Sequence, residues 1–210
     1  MTADAAFWDQ IAEKYARDPI KDMRSFEYTL ERTRSFLNAG SRVLEVGCGT
    51  GTSALLLARS ARRIAACDVS EAMIRIARQK LEVPDAPQNV TFEVAPISRE
   101  HLPVGTFDVV TAFNVLHLVR DLDEALAAVA GRVRPGGFFI SKTPCLADSS
   151  FLLLKPVVAM MARMGKAPQV LFLTRRTLQA RIRAQGFQLI EVGDFPRRPP
   201  RHFIVARRLG

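Results

Sequence analysis

Between positions 42 and 142 the chain alternates short apolar runs, many of them β-branched, with longer stretches whose apolar residues recur every three or four positions. That rhythm predicts βαβ units and a parallel sheet. Residues 42–46 read as a first strand and 53–61 as the helix after it. Residues 64–67 form a weaker second strand, accepted because a helix start follows. Ser70, with Glu71 behind it, caps a helix over 72–81, whose Met73, Ile76, Ala77 and Leu81 fall at helical spacing. Residues 90–94 alternate as a third strand. Residues 107–113 form the fourth, apolar enough to be buried on both faces as a central parallel strand is. Residues 121–133 are helical, and Pro135-Gly136-Gly137 turns the chain into a fifth strand over 138–142.

After Thr143 the rhythm changes. Residues 143–173 are rich in Leu, Met, Val and Pro, up to a cap at Thr174 and a helix reaching Ala184. Gly186 ends that helix. Strand character returns over 187–192 and again over 203–206, and the connection 193–202, with three prolines, suits an antiparallel hairpin. No repeat, low-complexity tract or Gly/Ser linker interrupts the chain. A single domain over 1–210 is expected, with a helical N-terminal segment (1–40), a ligand-binding half (41–143), an insertion (144–173) and a C-terminal helix and hairpin (174–210).

The sharpest chemical signal is Glu45-Val46-Gly47-Cys48-Gly49-Thr50-Gly51, directly after the first strand. Glycines there admit left-handed backbone and let a ligand approach the main chain. In doubly wound sheets ligands bind outside the carboxyl ends of the strands, at the switch in strand order. Asp68 stands 21 positions after Gly47, at the end of the second strand, where a carboxylate can accept from both hydroxyls of a ribose. The bland reading of Asp68 is a helix cap. A dinucleotide fingerprint would need glycine at position 52, but Thr52 is there and the third glycine is Gly51. Glu45, two positions before the first glycine, is a poor neighbour for a pyrophosphate and a good one for a positively charged sulfonium amino acid.

At these residues the sequence resembles the class I S-adenosylmethionine-dependent methyltransferases, whose first motif has the form (D/E)xGxGxG. The resemblance continues in order through Asp68-Val69-Ser70 with Met73, Phe107-Asp108-Val109-Val110 running to Asn114, and Arg134-Pro135-Gly136-Gly137. It implies an α/β Rossmann-like fold: a mostly parallel seven-stranded sheet with an antiparallel C-terminal hairpin strand, an N-terminal helical flap and a lid inserted after the fifth strand. It implies S-adenosyl-L-methionine as cofactor, with Glu45 toward its amino group, Gly47, Cys48, Gly49 and Gly51 around its methionine end, and Asp68 on the ribose. Val69 and Met73 would lie near the adenine, and Asn114 beneath the methionine. Phe7-Trp8-Asp9 and Tyr15 resemble the N-terminal segment of the ubiquinone/menaquinone C-methyltransferase-like, small-molecule branch, in which the tyrosine closes over the cofactor. One stretch departs from the pattern. Where the family often places an acid for the adenine amino group, this chain has Ala95-Pro96-Ile97, which leaves the Ile97 backbone N–H and apolar packing to recognise the base.

His117 follows the fourth strand, where an acceptor would meet the methyl group, and suits a general base; local packing is the competing reading. Met73 reads equally as helix core. Cys145 follows Pro144, as nucleophiles of cytosine methyltransferases do, but reads better as a small buried hydrophobe. The three cysteines make neither a CxxC nor a metal pattern, so no metal site is expected. Reduced thiols in a cytoplasmic compartment are expected.

Composition narrows the partners. The 210 residues are 48% hydrophobic, enough for a core without disulfides. Residues 1–18 lack the uninterrupted apolar run of a secretory signal, and residues 151–164, broken by Lys155, Pro156 and Arg163, fall short of the ~20 residues of a bilayer span. The formal charge is +9, and nine arginines between 175 and 208 face only Glu191 and Asp194. Solvated arginines explain this first, membrane-surface attraction second and nucleic acid third. The acceptor expected is a small molecule, apolar or lipid-like, under a lid at 146–173. An RNA methyltransferase and a non-catalytic cofactor-binding or membrane-associated module are the alternatives. Neither the acceptor atom nor the oligomeric state is legible in the residues.

Overall fold

The computed structural model describes residues 3–197 and 200–210, with side chains from residue 5 onward. Two helices come first, α1 (Ala3–Arg17) and α2 (Met23–Arg34). The alternation then runs β1 (Arg42–Val46), α3 (Thr52–Leu57), β2 (Arg63–Asp68), α4 (Glu71–Gln79), β3 (Val90–Val94), β4 (Phe107–Phe113), α5 (Leu122–Ala130) and β5 (Val133–Pro144). Two short 3-10 segments and α6 (Lys155–Arg163) make up the insertion. Next come α7 (Arg175–Ala184), β6 (Phe187–Asp194) and β7 (Arg201–Arg208).

All seven strands join one sheet in the order β3-β2-β1-β4-β5-β7-β6. The five N-terminal strands pair in parallel. β7 runs antiparallel to both β5 and β6. This is the expected mostly parallel sheet with one antiparallel hairpin strand.

The burial of the strands explains the layers. In β1 every residue after Arg42 is buried, as a strand covered by helices on both faces must be. Leu44 and Val46 point into one core with Val110, Phe139, Leu126 and Leu178. Val43 points into the opposite core with Val109, Ile140, Phe203, Leu57 and Ile74. So α5 and α7 cover one face, while α2, α3 and α4 cover the other. Each such buried side chain contributes about 1.5–3 kcal/mol relative to exposure. Caps mark the helix starts: Ser70 accepts from the Met73 N–H, Asp121 from the N–H groups of Asp123 and Glu124, and Thr174 from Thr177.

Several boundaries differ from expectation. α3 stops at Leu57 and continues as a 3-10 turn, and α5 ends at Ala130. Pro135-Gly136-Gly137 is no turn ahead of the strand but a bulge inside it. Phe107 pairs with Val133 and Val109 with Phe138, so the intervening residues loop out while the strand continues. Gly137 is required there, because a Cβ would lie 2.8 Å from the Asp108 carbonyl oxygen. β7 runs well beyond 203–206 at both ends. Of the predicted connection 193–202, residues 198 and 199 lie outside the described residues.

α1 packs on α4, not on the sheet. Ala12, Met73 and Ile76 form a small core of their own with Trp8 and Ala72. Asp9 fixes the contact, its Oδ1 accepting from Ser70 Oγ at 2.6 Å and from the Ala72 N–H at 3.0 Å. A carboxylate at this helix N-terminus also meets the positive end of the dipole.

Candidate cofactor and acceptor site

β1 lies between β2 and β4, so the connections on its two sides leave in opposite directions and open a crevice at its carboxyl end. The glycine loop fills that place. Gly47, Gly49 and Gly51 all have positive φ, at 68°, 53° and 77°. A Cβ on Gly47 would lie 2.3 Å from Val115 Cγ2, and one on Gly51 would lie 2.5 Å from Phe92 Cζ. Both positions therefore exclude side chains by contact as well as by conformation. Above Gly49 there is room, and Tyr15 of α1 covers it at van der Waals distance. Lys80 props the loop from below, donating to the Thr50 carbonyl at 2.7 Å.

Two carboxylates flank the loop. Glu45 is buried, and its Oε1 accepts from Ser53 Oγ, while its Oε2 has no partner among the described residues. Burial pushes this carboxyl up to about 7, against the pull of the Ser53 bond, with Asp68 adding to the rise. Asp68 accepts from the Gly49 N–H at 2.9 Å and the Ser70 N–H at 3.0 Å, one on each oxygen. It ties the loop to β2 and keeps further lone pairs for a ligand. Burial raises its pKa, with backbone hydrogen bonds opposing. Tyr15 is half-exposed, and its phenol is raised by burial and then by Asp68 and Glu45, while Arg201 pulls it back.

Along the crevice, Ala95 is buried and donates to the Asp68 carbonyl at 2.9 Å, and Pro96 is exposed. Ile97 is half-buried and packs on the core beside Val115. Val69 is half-buried at the turn between β2 and α4. Met73 is fully buried in the α1–α4 contact. Asn114 ends β4 with φ 55°, a left-handed backbone rare for a residue other than glycine, and its N–H donates to the Lys142 carbonyl at 2.7 Å. Cys48 is buried, and burial drives its thiol well above the ordinary value. Cys67 and Cys145 are pushed by burial to about 12, so none of the three is a ready nucleophile at neutral pH.

Beyond β4 the acceptor side begins. His117 is held by its backbone carbonyl, which accepts from the Leu171 N–H at 2.7 Å, joining the turn after β4 to the insertion. Its Nδ1 is buried with no partner among the described residues. Burial first, and the Arg201 charge second, push its pKa down to about 4. A cavity of about 610 Å³ opens between α1 and the insertion, lined by Phe7, Val158 and Phe172 together with Arg120, Lys155 and Arg163 among others. That volume lies in the range of small-molecule sites. Phe151, Leu152, Leu153, Leu154, Met160 and Met164 of the insertion are exposed. Among the described residues no group of His, Cys, Asp or Glu is arranged to hold a metal, and no helix is long and apolar enough to cross a membrane.

Residues 43–137 match a family model described as a methyltransferase domain. The fold, the loop and this match agree in order and position. The chain belongs to the class I S-adenosylmethionine-dependent methyltransferases. It is 32% identical over 150 residues to a ubiquinone biosynthesis O-methyltransferase of Thiobacillus denitrificans, covering 70% of this chain and 61% of that protein. A second relative of the same name, from Mesorhizobium japonicum, is 34% identical over 64% of this chain and 48% of its own. The chain thus spans about half to three fifths of the length of these curated relatives. Among solved structures, the magnesium protoporphyrin IX methyltransferase of Synechocystis with bound SAH superposes with a TM-score of 0.74 at 18% identity, over 98% of this chain and 95% of that one.

The cofactor of this methyltransferase is S-adenosylmethionine, and the residues fit it. The unpartnered Glu45 oxygen suits an ammonium, Gly49 leaves room over the loop backbone beneath Tyr15, and Asp68 retains accepting capacity. Four residues near this candidate site were not singled out from the sequence: Asp9, which anchors α1, Ser53, which donates to Glu45, and Lys142 and Arg201 at the end of β5 and start of β7. Asp9 belongs to the noted Phe7-Trp8-Asp9 cluster, but its partner is 61 positions away. Ser53 stands in the first turn after the loop, and Lys142 is the one charged residue in an apolar strand end. Arg201 carries no signal that separates it from the other arginines near it.

Proposed function

We propose that this chain transfers the methyl group of S-adenosylmethionine to a small, apolar acceptor held between α1 and the insertion. The observation that carries this reading is the buried oxygen of Glu45, unpartnered among the described residues, at the start of a glycine loop whose Gly49 has room beneath Tyr15; a mainly apolar cavity of about 610 Å³ between α1 and the insertion supports an acceptor pocket. The relatives' names, for ubiquinone biosynthesis and for magnesium protoporphyrin IX, support a small molecule as acceptor.

When bound, the cofactor supplies a methyl group already activated on a sulfonium. The protein's part is alignment and exclusion of water. Glu45 would accept from the amino group of the methionine end, Asp68 from the ribose hydroxyls, and the Ile97 N–H would donate to the adenine. Tyr15 closes over Gly49 from α1, and Asp9 sets where α1 stands. His117 is neutral above about pH 4 and is therefore a weak base. A base this weak suits an acceptor whose nucleophile is itself acidic.

The test incubates the protein with methyl-labelled cofactor and cell extract, then separates small-molecule, lipid, protein and nucleic-acid fractions. Label in the small-molecule or lipid fraction is expected. Label confined to nucleic acid or protein overturns the acceptor assignment.

A further inference from the structure

At the carboxyl end of β5, where β7 begins, two cations stand together, and among the described residues neither is in ion-pair contact with a carboxylate. Lys142 lies opposite Phe203 and Pro144 opposite Arg201 in the antiparallel register, so Lys142 and Arg201 share one face of the sheet. It is the face carrying Ile140, Phe203 and Val205, covered by α2. Lys142 is 4% exposed, and its Nζ donates to the Ser25 carbonyl at 2.9 Å and to Thr29 Oγ1 at 3.0 Å, both neutral groups of α2. Arg201 is exposed, and its hydrogen bonds among the described residues are backbone ones, with Pro196 and Phe195. Neighbouring arginines are treated differently: Arg175 pairs with Asp148 and Asp194, and Arg32 with Glu191.

Arg201 opens β7 opposite Pro144, two residues past Lys142, whose carbonyl accepts from the Asn114 N–H at 2.7 Å; this puts Arg201 at the end of the sheet from which β4 leads to His117. After burial, the Arg201 charge is the main influence lowering the pKa of both His117 and Lys142. It opposes the rise at Tyr15, and with Lys142 it adds to the lowering that Ser25's hydrogen bonds impose on Asp22. These groups come from α1, the start of α2, the turn after β4 and the end of β5. Tyr15 lies over Gly49 and Lys142 reaches Ser25, so these elements meet at the end of the sheet that carries the glycine loop. Asp22 is the nearest acid on this side, and its carboxylate is engaged in capping α2 through the Ser25 N–H at 3.0 Å. Glu45 and Asp68 belong to the cofactor end.

We propose that Arg201, backed by Lys142, binds a carboxylate on the acceptor, so that the substrate of this methyltransferase is an organic acid with an apolar body. The inference rests on the acceptor reading above and sharpens it. A guanidinium presents a planar fork of donors that matches a carboxylate with two parallel bonds. Lys142 already spends two of its protons on α2, so it adds charge more than hydrogen bonds, which suits a monoanion better than a phosphate dianion. The pair also answers the mutual repulsion of two cations that the fold leaves in place: a bound carboxylate relieves it, and an empty or neutral ligand does not.

The experiment uses the whole protein saturated with S-adenosylhomocysteine and matched probes: benzoate against benzyl alcohol, and octanoate against octanol. Titration calorimetry first compares S-adenosylhomocysteine binding by the wild type and Arg201→Gln, for which Kd should agree within about twofold. Thermal unfolding is then followed with each probe. The acids should raise Tm by about 3–5 °C at tenfold excess over Kd, and the alcohols should not. Arg201→Gln should abolish the shift, and Arg201→Lys should keep part of it. Equal responses to acid and alcohol, no response to either, or an acid response that survives in Arg201→Gln overturns the proposal. Failure of the wild type to bind S-adenosylhomocysteine at all overturns the methyltransferase reading, and this proposal with it.

Discussion

Replacing Glu45 by glutamine separates the stability of the protein from its use of the cofactor. Burial raises the Glu45 carboxyl from about 4.5 to about 7. The folded state therefore holds this proton more tightly than the unfolded chain, and stability falls as pH rises from about 4.5 to about 7 and then levels off. At pH 8 the ionised Glu45 costs about 3 kcal/mol of folding stability, and at pH 5 less than about 1 kcal/mol. Glutamine keeps the shape and the bond to Ser53 but cannot ionise. Its amide carries a fixed cost of about 1–3 kcal/mol for incompletely paired donors. That offset does not depend on pH, so the difference between variant and wild type should move by about 2–3 kcal/mol in the variant's favour from pH 5 to pH 8. Urea unfolding of both proteins at pH 5, 6.5 and 8, without ligand, measures it. At pH 8 the same variant should bind S-adenosylhomocysteine about 10- to 100-fold more weakly, the loss of a charge-assisted hydrogen bond. A stability difference that stays constant with pH, or an unchanged affinity, refutes the placement of an orphan carboxylate at the cofactor's amino group.

Further expectations follow from other contacts. Gly47→Ala combines a left-handed backbone with a Cβ 2.3 Å from Val115 Cγ2, so it should cost about 2–4 kcal/mol in urea unfolding, and adding Val115→Ala should recover the packing part; an unaltered midpoint would count against the loop geometry. Asp9→Ala removes the partner of Ser70 Oγ and the Ala72 N–H and should cost about 1–2 kcal/mol, with faster proteolysis within residues 10–22. His117 should remain neutral down to about pH 5 in its imidazole NMR signals. Because its folded pKa is depressed, it withdraws stability as pH falls from about 6.5 to about 4, so His117→Gln should be relatively more stable at pH 4 than at pH 7. A titration midpoint near 6.5 would contradict the burial of its ring.

What could be read from residues alone is what backbone geometry forces. The three glycines, the strand before them and Asp68 at the end of β2 were legible because a loop at positive φ tolerates little else, and because the βα rhythm places a second strand's end beside the first. The fourth strand was legible from its mostly apolar run, interrupted only by Asp108 and Thr111. The start of β5 was not, since Pro135-Gly136-Gly137 has the chemistry of a turn and only pairing with Phe107 and Val109 makes it a bulge. Met73 shows the limit of periodicity: its helical spacing marks a buried face, and the structure places that face against α1. Lys142 and Arg201 were invisible as a pair, because 59 positions separate them and only the antiparallel β5–β7 register brings them to one edge. The excess of arginines near the C-terminus accordingly divides into roles that composition cannot assign: Arg175 is tied to Asp148 and Asp194, while Arg201 has no such partner among the described residues.

The central claim is that the loop between Glu45 and Asp68 holds S-adenosylmethionine for transfer to a small acceptor. Calorimetric titration with S-adenosylhomocysteine at pH 8 tests it most directly. One site per chain is predicted, with affinity lost in Asp68→Ala and weakened in Glu45→Gln. A folded wild-type protein that binds no S-adenosylhomocysteine, or binds it equally well without either carboxylate, would contradict the account.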